Sequence, residues 1–425
     1  MTFHEMESLS AVPQKSFGSV MQLLLKAGLN SLKRIGIITY HYGYNEGTLL
    51  QAYATQQLLS NVVADCEVEI IDWRYAPKER IVFDEPKSER EQALRDFFND
   101  DLKKSQQCLS QQPIDDFFRS IRDQYDMLVV GSDELWRLDY QKRRKLGIVR
   151  FDQKNVWAPP FPNPYWPVDT SCPYISFASS ISEQNDLRMV PRRHRNRMLR
   201  SLAGMSSISV RDSRTENFIR DLVPDSRQIH RIPDPTFGLS FDRGKHLAAF
   251  KQILDRHVDP TQRIALIVCH TDSAHLRDCI SLCKSQGLCT VALTSSCDDV
   301  DVDLSQASID PLTWASAFEA AELVITDRFH AAIFALQANR PVIALDYRAQ
   351  KNGTVSKLRD LFDDGEIGDW YFDVKRRTAA DSFAQMEECF KLNWPAASIQ
   401  SRVNSLGDVL RQHLEQNVTP ILTQD

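Results

Sequence analysis

The sequence lacks features that mark several large classes of protein. Its nine cysteines include no CxxC pair and no histidine partners at zinc-site spacing, so neither a disulfide framework nor a metal site is expected. No segment approaches roughly 18 uninterrupted apolar residues, and the start of the chain lacks the pattern of a signal peptide. There is no repeat at a fixed period. These absences predict a cytoplasmic protein with most cysteines in the core and no metal or other cofactor.

An excess of positive charge is also missing. The formal net charge is -6 and the isoelectric point is near 6.0, which argues against a nucleic-acid partner because proteins that follow phosphate backbones carry a net basic field. A local binding site for an anion is still compatible with this net charge. The arginine-rich segment "RMVPRRHRNRMLR" (188–200) fits a solvated helix face, or a surface that binds the phosphates of a lipid-linked or nucleotide-linked acceptor.

One amphipathic segment lies near the start of the chain. In "SFGSVMQLLLKAGL" (16–29) the apolar residues recur at helical spacing. A helix packed on the body of the protein and a helix lying on a membrane surface both fit this pattern. The localisation is therefore predicted as cytoplasmic, with peripheral membrane association as the alternative.

The 425 residues, 42% of them hydrophobic, suffice for two domains of roughly 150 to 200 residues. From residue 34 onward, short β-rich runs alternate with helical patterns, which is typical of parallel sheets built from βα units. One series runs from "RIGIITY" (34–40) to "IHRIPDPTF" (229–237), and a second from "RIALIVC" (263–269) to "RPVIALD" (340–346). The predicted fold is α/β, with two Rossmann-like domains. The expected divisions are a helical extension at 1–33, an amino-terminal α/β domain at 34–240, a carboxyl-terminal α/β domain at 241–394 and a C-terminal helix and tail at 395–425.

Polar clusters follow four of the predicted strands. They are "HYGYNEG" (41–47), "GSDELW" (131–136), "VRDSRT" (210–215) and "DRFH" (327–330). Ligands of open α/β sheets bind outside the carboxyl ends of the strands. These clusters are therefore expected to face a cleft between the two domains.

The "DRFH" cluster combines a cation and a titratable ring at the start of a predicted helix. Backbone N–H groups and the helix dipole favour anions at such a terminus. Arg328 supplies a bidentate fork for a carboxylate or phosphate, and His330 can exchange a proton near neutral pH. The same residues also fit a purely structural role, with Asp327 as a cap, Arg328 in a surface ion pair and His330 in the core.

The other clusters contribute weaker candidates. Arg211 can join Arg328 in binding a ligand with two anionic groups, although a single arginine is more often structural. Asn45 and Gly47 flank Glu46, which fits either contact with a substrate hydroxyl or a first-turn acid favoured by the dipole. Asp133 can accept from a hydroxyl or cap a turn. Beyond the last strand, Lys351 or Lys357 can add positive charge, unless both are exposed.

Taken in order, these elements resemble the polysaccharide pyruvyl transferase family. The matching stretches span about residues 34–360 and are "NEGTLLQAYATQQLL", "DMLVVGSDELW", "YISFASS", "ISVRD", "DPTF" and "VITDRFHAAIFAL", followed by "PVIAL". The resemblance implies a glycosyltransferase-B-like pair of domains and transfer of a pyruvyl group from phosphoenolpyruvate to two sugar hydroxyls. It also implies that Arg211, Arg328 and His330 contact the donor, with the Phe329 backbone alongside.

The sequence departs from the family pattern mainly in its amino-terminal half. Residues 45–48 read "NEGT" where "NYGA" is common, and Glu134 and Arg137 replace residues of "GSDQxWN". These differences concern the half that should bind the acceptor, which is expected to be a sugar or a lipid-linked or nucleotide-linked saccharide.

The chemistry requires an acid and a base. His330 is the candidate acid, or else a phosphate ligand, and Glu46 or Asp133 is the candidate base. The alternatives are a nucleotide-sugar glycosyltransferase, pyruvyl or enolpyruvyl transfer to a small natural product, and a non-catalytic binding subunit. The sequence does not indicate the oligomeric state.

Overall fold

The computed structural model describes residues 32–423, with gaps at 107, 110–112, 139, 146–147, 154–155, 183–184, 225, 349–354 and 377–378. The amphipathic segment at 16–29 and Lys351 lie outside the described residues. In the described part of the chain, no helix is long and apolar enough to cross a membrane.

The first half of the chain builds a six-stranded sheet in which every pair is parallel. The strands are β1 (Lys33–Ile38), β2 (Cys66–Ile70), β5 (Met127–Asp133), β8 (Tyr174–Ser179), β9 (Ser209–Val210) and β10 (His230–Arg231). Their order in the sheet is β10-β9-β8-β5-β1-β2. Strands covered on both faces are apolar along their whole length, and β5 and β8 are accordingly buried almost throughout.

The second half builds another parallel sheet of six strands. The strands are β11 (Ile264–Val268), β12 (Cys289–Ala292), β13 (Val302–Asp303), β14 (Leu323–Thr326), β15 (Val342–Asp346) and β16 (Tyr371–Asp373). Their order in the sheet is β13-β12-β11-β14-β15-β16. The predicted architecture of two mainly parallel sheets is confirmed.

Helices connect and cover the strands of both sheets. They are α1 (Glu46–Val62), α2 (Ala76–Val82), α3 (Glu89–Asp100), α4 (Ile114–Ser120), α5 (Arg192–Gly204), α6 (Ser213–Arg220), α7 (Arg243–Leu254), α8 (Ala274–Ser285), α9 (Pro311–Ala317), α10 (Phe329–Gln337), α11 (Lys357–Asp364), α12 (Ala379–Lys391), α13 (Ala396–Asn417) and α14 (Thr419–Thr423). Short 3₁₀ turns occur at Leu187–Met189, Pro235–Gly238, Phe318–Ala320 and Gly368–Trp370. Several helices begin with a side-chain cap; Asn45, for example, accepts a hydrogen bond from the N–H of Thr48.

Two small sheets lie outside the main ones. Strands β3 (Trp73–Arg74) and β4 (Cys108–Leu109) pair in parallel, while β6 (Tyr140–Lys145) and β7 (Ile148–Gln153) form an antiparallel pair. The latter pair lies in a stretch, 137–172, that is rich in proline and aromatic residues.

The long helix α13 returns to the first half of the molecule. It packs on α1 and on the turn at Pro235–Gly238. The close approach depends on Gly238, because a Cβ atom there would lie 2.7 Å from Leu58 and 3.3 Å from Leu410. One continuous apolar cluster includes Ile35 of the first sheet, Leu266 of the second and Leu414 of α13. Apolar packing therefore joins the two halves.

Candidate active site

Two adjoining cavities lie between the halves, outside the carboxyl ends of strands from both sheets. The larger has a volume of about 570 Å³ and the smaller about 110 Å³. Five residues line both cavities: Asn45, Arg328, His330, Arg348 and Lys357. This location matches the cleft predicted from the ends of the strands.

Arg328 lies at the corner between β14 and α10. It is the N-cap residue of α10, and its N–H donates to Thr326 Oγ1 at 2.9 Å. Its guanidinium forms no hydrogen bond or ion pair with any residue in the described ranges. Burial lowers the pKa of Arg328 to about 10, although nearby Glu46 acts in the opposite direction. A buried cation without a counter-ion is unfavourable, so this position favours binding of an anion.

Asp327 does not act as the cap of α10. Its carboxylate instead accepts hydrogen bonds from the N–H groups of His270 at 3.0 Å and Thr271 at 2.9 Å. Burial raises the pKa of Asp327. These bonds join the end of β14 to the loop after β11, and they fix the corner from which Arg328 and His330 project.

His330 packs against the start of α1 in the other half of the chain. A Cβ atom at Gly47 would lie 2.2 Å from His330 Nδ1, so glycine is required for this contact. His330 Nε2 lies 3.5 Å from Asp234 Oδ2, which permits an ion pair but is long for a hydrogen bond. The ring is therefore placed by Gly47 on one side and faces a carboxylate on the other.

Asp234, in the "DPTF" stretch, connects His330 with Arg211. It is fully buried and accepts from Arg211 Nη1 at 2.7 Å and from the N–H and hydroxyl of Thr236. Burial alone would raise the pKa of Asp234, but His330 and Arg211 hold it well below its usual range. The sequence alone does not mark Asp234 as a site residue, because an aspartate before a proline is also typical of an ordinary turn cap.

Arg211 lies behind Asp234, and both of its terminal nitrogens donate hydrogen bonds. Its Nη2 donates to Ser180 at 2.9 Å and is 3.8 Å from Asp133 Oδ1, and its guanidinium lies 4.7 Å from the centre of the Phe329 ring. Burial lowers the pKa of Arg211, but Asp234 and Asp133 offset this and leave it raised. Arg211 lines a separate cavity of about 280 Å³, together with Phe329 and Lys357. Its contacts with the walls of the two adjoining cavities run through Asp133 and Phe329, and Asp234 connects it to His330.

The two carboxylates proposed as bases have basic partners. Glu46 begins α1 and lines the smaller cavity, where its Oε1 lies 2.6 Å from Arg90 Nη2. Asp133 lines the larger cavity with its backbone in the left-handed region, at a φ of 80°. Its Oδ1 accepts from the N–H of Glu134 at 2.8 Å.

Further charged residues complete the larger cavity. Glu134 pairs with Lys357 at 2.8 Å and with Arg348 at 3.6 Å. Burial acts to raise the pKa of Glu134, but these cations hold it well below its usual range. Burial lowers the pKa of Lys357, whose Nζ lies 5.3 Å from the centre of the Phe329 ring. The sequence alone favours an exposed Lys357, because no local pattern predicts that this residue faces Glu134.

Within the described ranges, no three His, Cys, Asp or Glu side chains converge as metal ligands. The absence of a cofactor remains a prediction. The buried thiols of Cys269, Cys279, Cys283 and Cys289 are free and lie in the core.

Comparison with known protein families identifies the family of this chain. The model of the polysaccharide pyruvyl transferase family matches residues 47–348, well over half of the sequence. The chain belongs to this family. The match includes Asp133, Arg211, Asp234, Arg328 and His330. Membership identifies the protein as a transferase and implies a saccharide acceptor. A sequence search of curated proteins gives no match.

Solved structures agree with the fold of this pyruvyl transferase family member. A UDP-N-acetylglucosamine 2-epimerase is 9% identical with a TM-score of 0.52, and the alignment covers 91% of this chain and 95% of that one. MnaA of S. aureus, in complex with UDP, is 11% identical with a TM-score of 0.50, covering 92% and 96%. The likeness supports the glycosyltransferase-B-like arrangement.

Proposed function

We propose that the protein transfers a pyruvyl group from phosphoenolpyruvate to two hydroxyls of a saccharide, forming a ketal and releasing phosphate. The observation that carries this proposal is the guanidinium of Arg328, which is half-buried beside a helix terminus and has no partner among the described residues. Phosphoenolpyruvate brings a carboxylate and a phosphate on three carbons. A small dianionic donor of this kind suits a site with one free guanidinium and further cations nearby.

The donor would bind across the two adjoining cavities. Arg328 and the N-terminal N–H groups of α10 would receive one anionic group, and Lys357 and Arg348 lie on the same wall for the other. Lys357 and Arg348 already pair with Glu134, so only Arg328 gains a first counter-ion on binding. We therefore assign Arg328 the largest share of donor affinity.

His330 would act as the acid. Transfer begins with protonation of the donor's methylene carbon C3, which leaves positive charge at C2 for attack by a hydroxyl. Asp234 faces the ring, with its Oδ2 3.5 Å from Nε2, and Arg211 and Thr236 fix Asp234 in place. Arg211 would then act as a positioning residue. It would contribute to the donor chemistry by holding Asp234, without touching the donor itself.

The acceptor would enter through the larger cavity. Its outer wall carries Trp157 and Ile81, which are 42% and 56% exposed, and its inner wall carries Tyr40. Exposed aromatic and apolar surface beside buried polar groups is suited to a sugar ring, which has apolar faces and polar edges. This assignment places the acceptor on residues of the first half of the chain.

Calorimetric titration tests the donor directly. Phosphoenolpyruvate should bind the wild-type protein, and UDP-N-acetylglucosamine should not. Arg328→Met should weaken phosphoenolpyruvate binding by roughly 30- to 150-fold, the equivalent of about 2 to 3 kcal/mol for bonds to a charged group. Arg263→Met is the matched control, because Arg263 lies just before the amino end of β11 and does not line either cavity. Binding of the nucleotide sugar instead of phosphoenolpyruvate would favour the glycosyltransferase alternative.

A further inference from the structure

Lys78 lines the larger cavity opposite the donor residues and is not explained by the assignments above. It lies on α2, whose residues 78, 81 and 82 share one helix face, and all three line the cavity. The Nζ atom lies 3.5 Å from the centre of the Tyr40 ring. Across the ranges that the structure describes, this amine has no hydrogen-bond acceptor and no carboxylate within ion-pair distance.

Tyr40 provides a second, independent observation at the same place. Its side chain is 5% exposed and lines the cavity, yet its hydroxyl has no hydrogen-bond partner among the described residues. A buried hydroxyl without a partner costs free energy, so Tyr40 and Lys78 form a polar pair available to a ligand. Burial holds the pKa of Tyr40 well above its usual value, so the phenol stays protonated and can orient a hydroxyl.

We propose that Lys78 is the general base of the acceptor side, and that its neutral amine removes the proton from the saccharide hydroxyl that attacks the donor. The inference rests on the proposed function, since it assumes pyruvyl transfer. Glu46 is less suited to this step because Arg90 lies 2.6 Å from its Oε1. Asp133 is likewise held by the N–H of Glu134 and faces Arg211.

The electrostatic surroundings of Lys78 fit this role. Burial lowers the pKa of Lys78 to about 8, while Asp133 and Glu134 raise it and Arg137 lowers it. The faces of Tyr40 and Tyr42 are the other groups turned toward the amine. Roughly a quarter of such an amine is neutral at pH 7.5, against about one part in a thousand for an ordinary lysine.

The proton balance of the reaction closes with this assignment. The acid delivers one proton to C3 of the donor, and the acceptor oxygen bonds to C2 while its own proton passes to Lys78 Nζ. The bond from C2 to the phosphate oxygen then breaks with the electron pair leaving on phosphate, and the second hydroxyl closes the ketal. Of the two hydroxyl protons released, one replaces the proton consumed at C3 and the other leaves with phosphate.

Three variants test the proposal: Lys78→Met, Lys78→Arg and Lys78→Cys. Phosphoenolpyruvate binding is measured first by calorimetry, without acceptor. Phosphate release is then followed with a set of p-nitrophenyl glycosides that carry neighbouring free hydroxyls. Lys251→Met, at an exposed position on α7, is the control for loss of a lysine, and thermal unfolding verifies that each variant is folded.

The Met and Arg variants should bind the donor within about twofold of wild type but turn over roughly 100-fold more slowly or worse. Arginine keeps the charge and cannot give up its proton, which separates a base from a cation that binds substrate. The wild-type kcat should rise with pH through a limb near the pKa of about 8, and the Met variant should lack this limb. Alkylating the Cys variant with 2-bromoethylamine restores an amine and should restore turnover.

Two results would overturn the assignment of Lys78 while leaving the proposed function intact. One is turnover of the Met variant close to that of wild type, as expected if Lys78 only packs on Tyr40. The other is an Arg variant that retains turnover, which would make Lys78 a substrate-binding cation. A wild-type protein that binds no phosphoenolpyruvate would instead remove the proposed function, and this inference with it.

Discussion

Two arginines of the site are placed in opposite surroundings. Arg211 is buried and makes hydrogen bonds or close ion-pair contacts with Asp234, Ser180 and Asp133. Arg328 is half-buried without any such partner among the described residues, and desolvation lowers its pKa. We therefore expect the first guanidinium to stabilise the fold and the second to destabilise it.

Truncating these arginines should therefore have opposite effects on stability. Arg328→Met should raise the free energy of unfolding by about 1 kcal/mol, because it removes a half-buried charge that has no partner among the described residues. Arg211→Met should lower it by about 3 to 5 kcal/mol, since Asp234 would keep its charge without its partner. Urea unfolding at pH 7 without ligand measures both. Equal losses in the two variants would contradict this account of Arg328.

Substitution of Gly47 should be as damaging as substitution of the charged residues around it. In Gly47→Ala the new Cβ atom would lie 2.2 Å from His330 Nδ1, so the ring must move. We expect a loss of about 1 to 3 kcal/mol in stability and a fall in turnover that exceeds the change in donor affinity. Gly244→Ala on α7, where the nearest atom would be 3.6 Å away, is the control and should be neutral or slightly stabilising.

At the scale of elements, the turn at Pro235–Gly238 joins three parts of the site. Asp234 begins this turn, bonds to Arg211 at the end of β9 and faces His330 on α10. One carboxylate thus links the first sheet to the donor corner of the second. Its ionisation should matter for both stability and activity.

The sign of the pH dependence of stability that Asp234 causes can be predicted. The pKa of Asp234 is lowered by folding, so its contribution is fully present above the unfolded pKa of about 3.9 and is lost as pH falls below that value. Asp234→Asn should lower stability by about 3 to 5 kcal/mol at pH 7. Urea unfolding at several pH values should show the gap between wild type and variant narrowing below pH 4. A constant gap would argue against a charged Asp234.

Elements were easier to predict from sequence than the partners of single side chains. The apolar runs predicted the central strands and the corner bearing Arg328 and His330, because backbone pattern is a local property. The engagement of Arg211 by Asp234, and the burial of Lys357 against Glu134, depend on how distant loops meet. Lys78 was missed for the same reason, since the sequence of α2 reads as an ordinary polar helix.

On the scale of the whole molecule, helix α13 should make stability sensitive to acid. His413 is buried on this helix, its ring lies 5.0 Å from that of His230, and burial lowers its pKa to about 4. Between pH 6.5 and 4 the unfolded chain takes up a proton at this position and the folded chain does not. Stability should therefore fall across this range, by up to about 3 kcal/mol from this group.

Replacing the ring should remove this dependence. His413→Leu is expected to lose less stability than wild type when the pH falls from 6.5 to 4, whereas His257→Leu, an exposed site, should behave as wild type. Thermal unfolding across this range measures the difference. Parallel curves for wild type and His413→Leu would show that the ring is not kept neutral by the fold.

The return of α13 to the first half also bears on where the chain can be shortened. A protein ending near residue 394 would keep both sheets and every residue of the cleft. It would also leave Leu58 and Phe237 facing water where Leu410 and its neighbours now cover them. We expect such a truncated chain to keep the side chains of the cleft and still aggregate, because α13 packs against helices of both halves of the molecule.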